Sequence, residues 1–108
     1  MYVRKLRTLN QVVGKHIEQF GTREDFKILL EIAEHQESDS RLTLKQLVLS
    51  AEIPESTLKR RLARLVRLRF VQKKTSASDQ RVHCYSLPEK TMSSLTELAK
   101  TIRGHRWD

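Results

Sequence analysis

Residues 53–87 read IPESTLKRRLARLVRLRFVQKKTSASDQRVHCYSL, and how this stretch divides into helix and strand decides the fold. Between Ser56 and Ser78 stand Lys59, Arg60, Arg61, Arg64, Arg67, Arg69, Lys73 and Lys74, with no Asp or Glu among them. The formal net charge of the whole chain is +8, so the residues outside this window nearly cancel. Stepping about 100° per residue from Leu58 puts Leu62, Leu65 and Val66 within about 80° of it, while Ser56, Arg60, Ala63 and Arg67 fall on the far side. Thr57, Lys59 and Arg64 flank that outer face, and Arg61 lies nearer the apolar side, where its stem can lie along the surface. The stretch therefore predicts a helix with one apolar side and one basic side, with small residues set among the cations.

After Arg69 the period changes. Phe70 to Lys74 reads as extended, the polar TSASDQ as a turn, and Val82 to Leu87 as a returning strand. Lys73 and Lys74 going out and Arg81 and His83 coming back make a basic two-stranded ribbon. Upstream, Thr43 followed by Gln46 has the spacing of a capping box. It opens a short helix from Leu44 to about Ala51, with Leu44, Leu47 and Val48 inward. Glu52 and Ile53 turn the chain, and Pro54 starts the basic helix, where its missing N–H leaves nothing unpaired. Two short helices joined by a tight turn, the second basic, form the helix-turn-helix pattern. An outer face of cations and small residues can bring a backbone close to base edges in a major groove about 12 Å wide.

The flanks complete the fold class. Val3, Leu6, Leu9, Val13, Ile17 and Phe20 recur at helical spacing, and Gly21 stops that helix. Thr22 is the expected N-cap of the next helix, with Glu24 and Asp25 at its positive end; it runs to about Gln36 and is expected to bury Phe26, Leu29, Leu30 and Ala33. Pro88 and Glu89 begin a last helix striped with Met92, Leu95, Leu98, Ala99 and Ile102. The fold expected is mostly α with a small β-wing, a winged helix-turn-helix flanked by N- and C-terminal dimerisation helices. At 108 residues it is expected to form a single domain, with an N-terminal helix (1–21), a DNA-binding core (22–88) and a C-terminal helix (89–108). Val3, Leu6, Leu9, Leu98, Ile102 and Trp107 are the expected dimer interface.

At these residues the chain resembles the MarR-type transcriptional regulators: STLKRRLARL, then FVQKK, then SDQRVHCYSLPEK match their recognition helix, strand and Asp-x-Arg wing over about Leu42 to Leu98. The resemblance implies major-groove contact by Ser56, Thr57, Lys59, Arg60 and Arg64. It also implies a wing-tip pair in which Asp79 steadies Arg81 as it enters the minor groove. Departures stand at Arg69, where the family has a glycine closing the recognition helix, at Pro54 in place of a Ser or Thr cap, and at Pro88 and Thr91. The resemblance further implies a homodimer and leaves a small-molecule effector open.

The expected function is therefore a sequence-specific regulator of transcription that binds double-stranded DNA through Ser56, Thr57, Lys59, Arg60, Arg64, Arg67, Lys73, Lys74, Arg81 and His83. Two alternatives share much of this pattern: a replication, plasmid-maintenance or architectural DNA-binding protein, and a winged-helix module that grips an acidic protein. A pI near 10.1 fits any anionic partner. With no apolar run of membrane-crossing length and no apolar stretch behind MYVRKLRTLN, a cytoplasmic, nucleoid-associated protein is expected, not a membrane protein. The single cysteine, Cys84, forms no internal disulfide and reads as a small strand hydrophobe. His16, His35, His83 and His105 are scattered, and there is no phosphate loop or catalytic set, so no metal, cofactor or enzyme activity is expected.

Overall fold

Leu58, Leu62 and Leu65, spaced four and three residues apart, are removed from solvent almost completely, and they anchor the basic helix with Lys59, Arg60 and Arg67 outward. A computed structural model describes residues 2–37, 42–75 and 82–104. Its elements are α1 (Tyr2–Ile17), α2 (Arg23–Glu37), β1 (Leu42–Thr43), α3 (Leu44–Ala51), α4 (Glu55–Arg67), β2 (Gln72–Thr75), β3 (His83–Ser86) and α5 (Glu89–Gly104). This is a winged helix-turn-helix, with α3 and α4 as the helix pair and β2 and β3 as the wing.

The core gathers Ile28, Leu29 and Ile32 of α2, Leu42, Leu47 of α3, and Leu58 and Leu65 of α4, with Phe20, Val71 and Leu87 closing its edges. Side chains buried to this degree contribute about 1.5–3 kcal/mol each. Leu30, expected inward, is 45% exposed, and Ile28 and Ile32 take the buried positions. The apolar side of α2 is thus turned from the expected one, because FKILLEIA (residues 26–33) offers two overlapping stripes and the packing partner selects between them. Helix α1 also ends earlier than expected, at Ile17, and Glu18, Gln19 and Phe20 form a turn before Gly21 at φ 132°.

The local signals at the helix pair act as their chemistry requires. Thr43 accepts from the Gln46 N–H while the Gln46 side chain accepts from the Thr43 N–H, a complete capping box. Glu52 then turns through the left-handed region at φ 55°. Pro54 precedes α4 at φ −52° without any side-chain cap. At its far end the Phe70 N–H donates to the Leu65 carbonyl at 2.9 Å and the Arg69 N–H to the Val66 carbonyl at 3.0 Å. These two bonds make a Schellman closure, which needs a left-handed residue, and Arg69 occupies that place at φ 66°.

The sheet has three antiparallel strands in the order β1-β3-β2, one more than the ribbon that the sequence predicts. The third strand arises because Leu42 is buried, and pairing Leu42 with Tyr85 and Thr43 with Cys84 satisfies the backbone that goes in with it. Gln36 extends the same logic from α2: its side chain accepts from the Leu87 N–H at 2.7 Å and donates to the Leu87 carbonyl at 3.2 Å. That bond pair holds the exit of β3 against the end of α2.

Helices α1 and α5 pack on each other. Leu98 is already covered within the chain, which corrects its assignment to a dimer surface, whereas Val3 and Leu6 are 74% and 63% exposed. Leu9 and Ile102 are half-buried, and Trp107 lies outside the described residues. No helix among the described residues is long and apolar enough to cross a membrane.

A non-glycine residue in the left-handed region costs about 1 kcal/mol, and the Arg69 side chain is exposed. Arg69→Gly is expected to raise stability by about 0.5–1 kcal/mol, or several degrees in Tm by thermal unfolding. An unchanged or lowered Tm would show that this cost is absorbed elsewhere.

Candidate nucleic-acid interface

Because the α4 seam fixes the helix's rotation, its far side is solvent-exposed: Ser56, Lys59, Arg60, Ala63 and Arg67 are all exposed and Thr57 is half-buried. Lys59 makes an exposed i,i+4 ion pair with Glu55 at 3.4 Å. Such pairs contribute little and exchange readily for another anion.

A groove of about 440 Å³ separates α4 from the β2–β3 hairpin. Lys59, Ala63 and Arg67 line it from the helix and Lys73, His83 and Tyr85 from the strands, over a floor that includes Leu44, Leu62 and Val66. The register explains which wing residues take part. Lys73 stands opposite Tyr85 and Thr75 opposite His83, so strand alternation turns this set toward α4. The Thr75 hydroxyl lies 3.4 Å from His83 Nδ1 and steadies the ring. Lys74, opposite Cys84, belongs to the other face of the hairpin. The ribbon's two lysines are therefore divided, one toward the groove and one away from it. Burial pushes the Tyr85 phenol above its ordinary range, so it presents a neutral ring to the groove.

Arg64 departs from the expected outer face. Its Nη1 donates to the Phe20 carbonyl at 2.9 Å and to Asp25 Oδ2 at 3.3 Å. Arg61 reaches the same oxygen at 3.5 Å, in keeping with its place nearer the apolar side. The physical reason is Asp25, a fully buried carboxylate on the first turn of α2. Thr22 and Asp25 cap each other, with the Thr22 N–H to Oδ2 at 2.8 Å and the Asp25 N–H to Thr22 Oγ1 at 3.3 Å. The sequence pattern marks Asp25 only as a dipole partner at a helix start. Its burial between the turn and α4 carries no signature in the local pattern. Asp79 and Arg81, the expected wing-tip pair, lie outside the described residues.

The family model described as the IclR helix-turn-helix domain matches residues 26–75, from α2 through β2. No curated protein matches the chain. Among solved structures, the chain is similar to MepR of S. aureus in a DNA complex, with a TM-score of 0.78 at 19% identity over 96% of this chain and 87% of that one. It is also similar to AbsC, a MarR family transcriptional regulator from Streptomyces coelicolor (TM-score 0.66, 21% identity, 94% and 68% covered). A third is a cysteine-to-serine mutant of MarR from E. coli complexed with operator DNA (TM-score 0.66, 18% identity, 89% and 66% covered). At these identities the likeness is one of fold, and it confirms the winged helix-turn-helix expected from residues 42–98.

Gly21 makes room for the buried cluster, since a Cβ there would overlap the Asp25 carboxylate and come within 2.8 Å of Arg64 Nη1, at a φ of 132° that L side chains rarely adopt. Gly21→Ala is therefore expected to destabilise the fold by at least about 2 kcal/mol in denaturant unfolding. A loss below about 0.5 kcal/mol would mean that the turn relaxes freely and that the cluster is loosely held.

Proposed function

We propose that the protein is a dimeric, sequence-specific regulator of transcription that binds double-stranded DNA, a binding protein and not an enzyme. The observation that carries this is the convergence of the α4 cations Lys59 and Arg67 with the hairpin's Lys73 and His83 on one groove. A helix with an exposed face of small and cationic residues beside a basic ribbon fits a major groove with the phosphate backbone alongside it. The folds of MepR and MarR, both solved with DNA, support the same assignment.

In this mechanism Ser56, Thr57 and Arg60 face base edges. An arginine is suited to the paired acceptors of guanine. Lys59, Arg67, Lys73 and His83 hold phosphates, and Lys74 reaches backbone from the outer face of the hairpin. Arg81, supported by Asp79, enters the minor groove, where narrow A·T tracts concentrate negative potential. The exposed Val3 and Leu6 on α1, with Leu9 and Ile102 beside them, form the surface on which a second copy docks. Two copies related by a two-fold axis would present two α4 helices to half-sites about one turn of DNA apart. Such a dimer would work in the cytoplasm on the nucleoid, and any small-molecule effector would act by changing the spacing of the two helices.

Selection from a random duplex library should return a palindromic site. Binding to it should weaken with salt, and Arg67→Ala or Lys73→Ala should make the log–log slope shallower by about 0.9 for each phosphate no longer neutralised. Ala63→Glu places a carboxylate in the groove at an exposed position. It is expected to abolish duplex binding while moving stability by no more than about 0.5 kcal/mol. A flat salt response, or an Ala63→Glu variant that binds normally, would refute the assignment.

A further inference from the structure

We propose that Asp25 withholds Arg61 and Arg64 from DNA, making it a positioning and specificity-determining residue for the duplex binding proposed above, on which this inference rests. Helix α4 carries Lys59, Arg60, Arg61, Arg64 and Arg67, and by angle alone Arg64 could join the outer face. Two features of the structure remove it. Arg64 Nη1 is held by the Phe20 carbonyl and by Asp25 Oδ2, and Arg61 Nη1 shares that oxygen. The carboxylate itself is fully buried and tied by the Thr22 N–H and hydroxyl at 2.8 and 3.1 Å, so it cannot follow an arginine outward.

A phosphate would have to draw each guanidinium from a desolvated carboxylate, leaving that charge uncompensated inside the protein. The exposed pair of Lys59 and Glu55 offers no such resistance. Helix α4 thus brings Lys59, Arg60 and Arg67 to the duplex, and the other two arginines set how the helix sits on the turn between α1 and α2. The consequence is selective. Non-specific affinity grows with every phosphate neutralised, whatever the sequence. Holding back two cations per subunit lowers binding to random DNA and leaves base-edge contacts intact, so the ratio of specific to non-specific affinity rises.

The test is the salt dependence of binding to a random-sequence duplex, measured by fluorescence anisotropy on the full chain, with folding of each variant checked by thermal melting. Arg67→Gln should make the log–log slope shallower by about 0.9 for each phosphate it ceases to neutralise, whereas Arg64→Gln and Arg61→Gln should leave it unchanged. Asp25→Asn should steepen it, raise affinity for random DNA and lower the preference for the selected site. Adding Arg64→Gln to Asp25→Asn should bring the slope back toward that of the unmodified protein. A merely structural role for Asp25 would weaken all binding without steepening the slope, and that outcome would overturn the proposal. So would an Arg64→Gln slope as shallow as that of Arg67→Gln, a result that stands even if Asp25→Asn fails to fold. Absence of salt-dependent duplex binding by the unmodified protein would overturn the DNA-binding assignment itself, and this proposal with it.

Discussion

Burial of Leu58, Leu62 and Leu65 against α2 fixes the rotation of α4, and most of what the molecule presents to a partner follows from that rotation. A helix with its apolar seam committed has no freedom to choose which cations face water. Ser56, Arg60, Ala63 and Arg67 are outward because the leucines are inward, and the hairpin follows because the Schellman closure after Arg67 aims the chain into β2. Removing any of those leucines would leave a cavity costing about 2–5 kcal/mol, a sizeable part of the stability of so small a core.

What is legible in the sequence is whatever depends on neighbours along the chain. The helix-turn-helix can be read because Thr43 and Gln46 cap locally, Pro54 begins a helix locally, and the leucines of α4 repeat at one period. Arg69 is singled out by the resemblance, which implies a glycine closing the recognition helix there, and the chain does adopt φ 66° at that residue. The third strand cannot be read from two residues. It exists because β3 offers an open edge and Leu42 needs burial, and both are properties of the assembled fold. The side of α2 that goes inward is likewise undecided until a partner is present, so periodicity alone puts Leu30 inside and passes over Ile28 and Ile32.

The candidate site divides along the same line. Periodicity places the outer cations of α4, and alternation places His83 and Cys84 on opposite faces of β3. Which of Lys73 and Lys74 turns toward α4 depends on register with β3, and that is set by a hairpin closing over a distance the local pattern does not encode. The groove's neutral floor is also out of reach, because Tyr85 becomes part of it only when β3 lies across from Leu62 and Val66.

Arg64 shows why counting charge on a helical wheel overstates what a surface can do. A wheel assigns a direction to Cβ, but an arginine side chain spans several ångströms and its head goes where a partner of opposite charge lies. Here that partner comes from α2, thirty-nine residues away in sequence, and it is buried, which makes it a stronger competitor than water or a neighbouring exposed acid. The same Asp25 oxygen caps its own helix through Thr22 and reaches α4 through both arginines, so one atom joins the turn after α1 to the helix pair. The Phe20 ring, from the same turn, meets Phe70 edge-on at 5.2 Å. An edge-to-face pair adds about 0.5–1.5 kcal/mol beyond burial. With a polar tie on α4 itself and an aromatic contact just past its C-terminal end, the helix resists both sliding and rolling. A rigid setting of this kind is what base-edge contacts require, since hydrogen bonds across a groove fail with displacements of a fraction of an ångström.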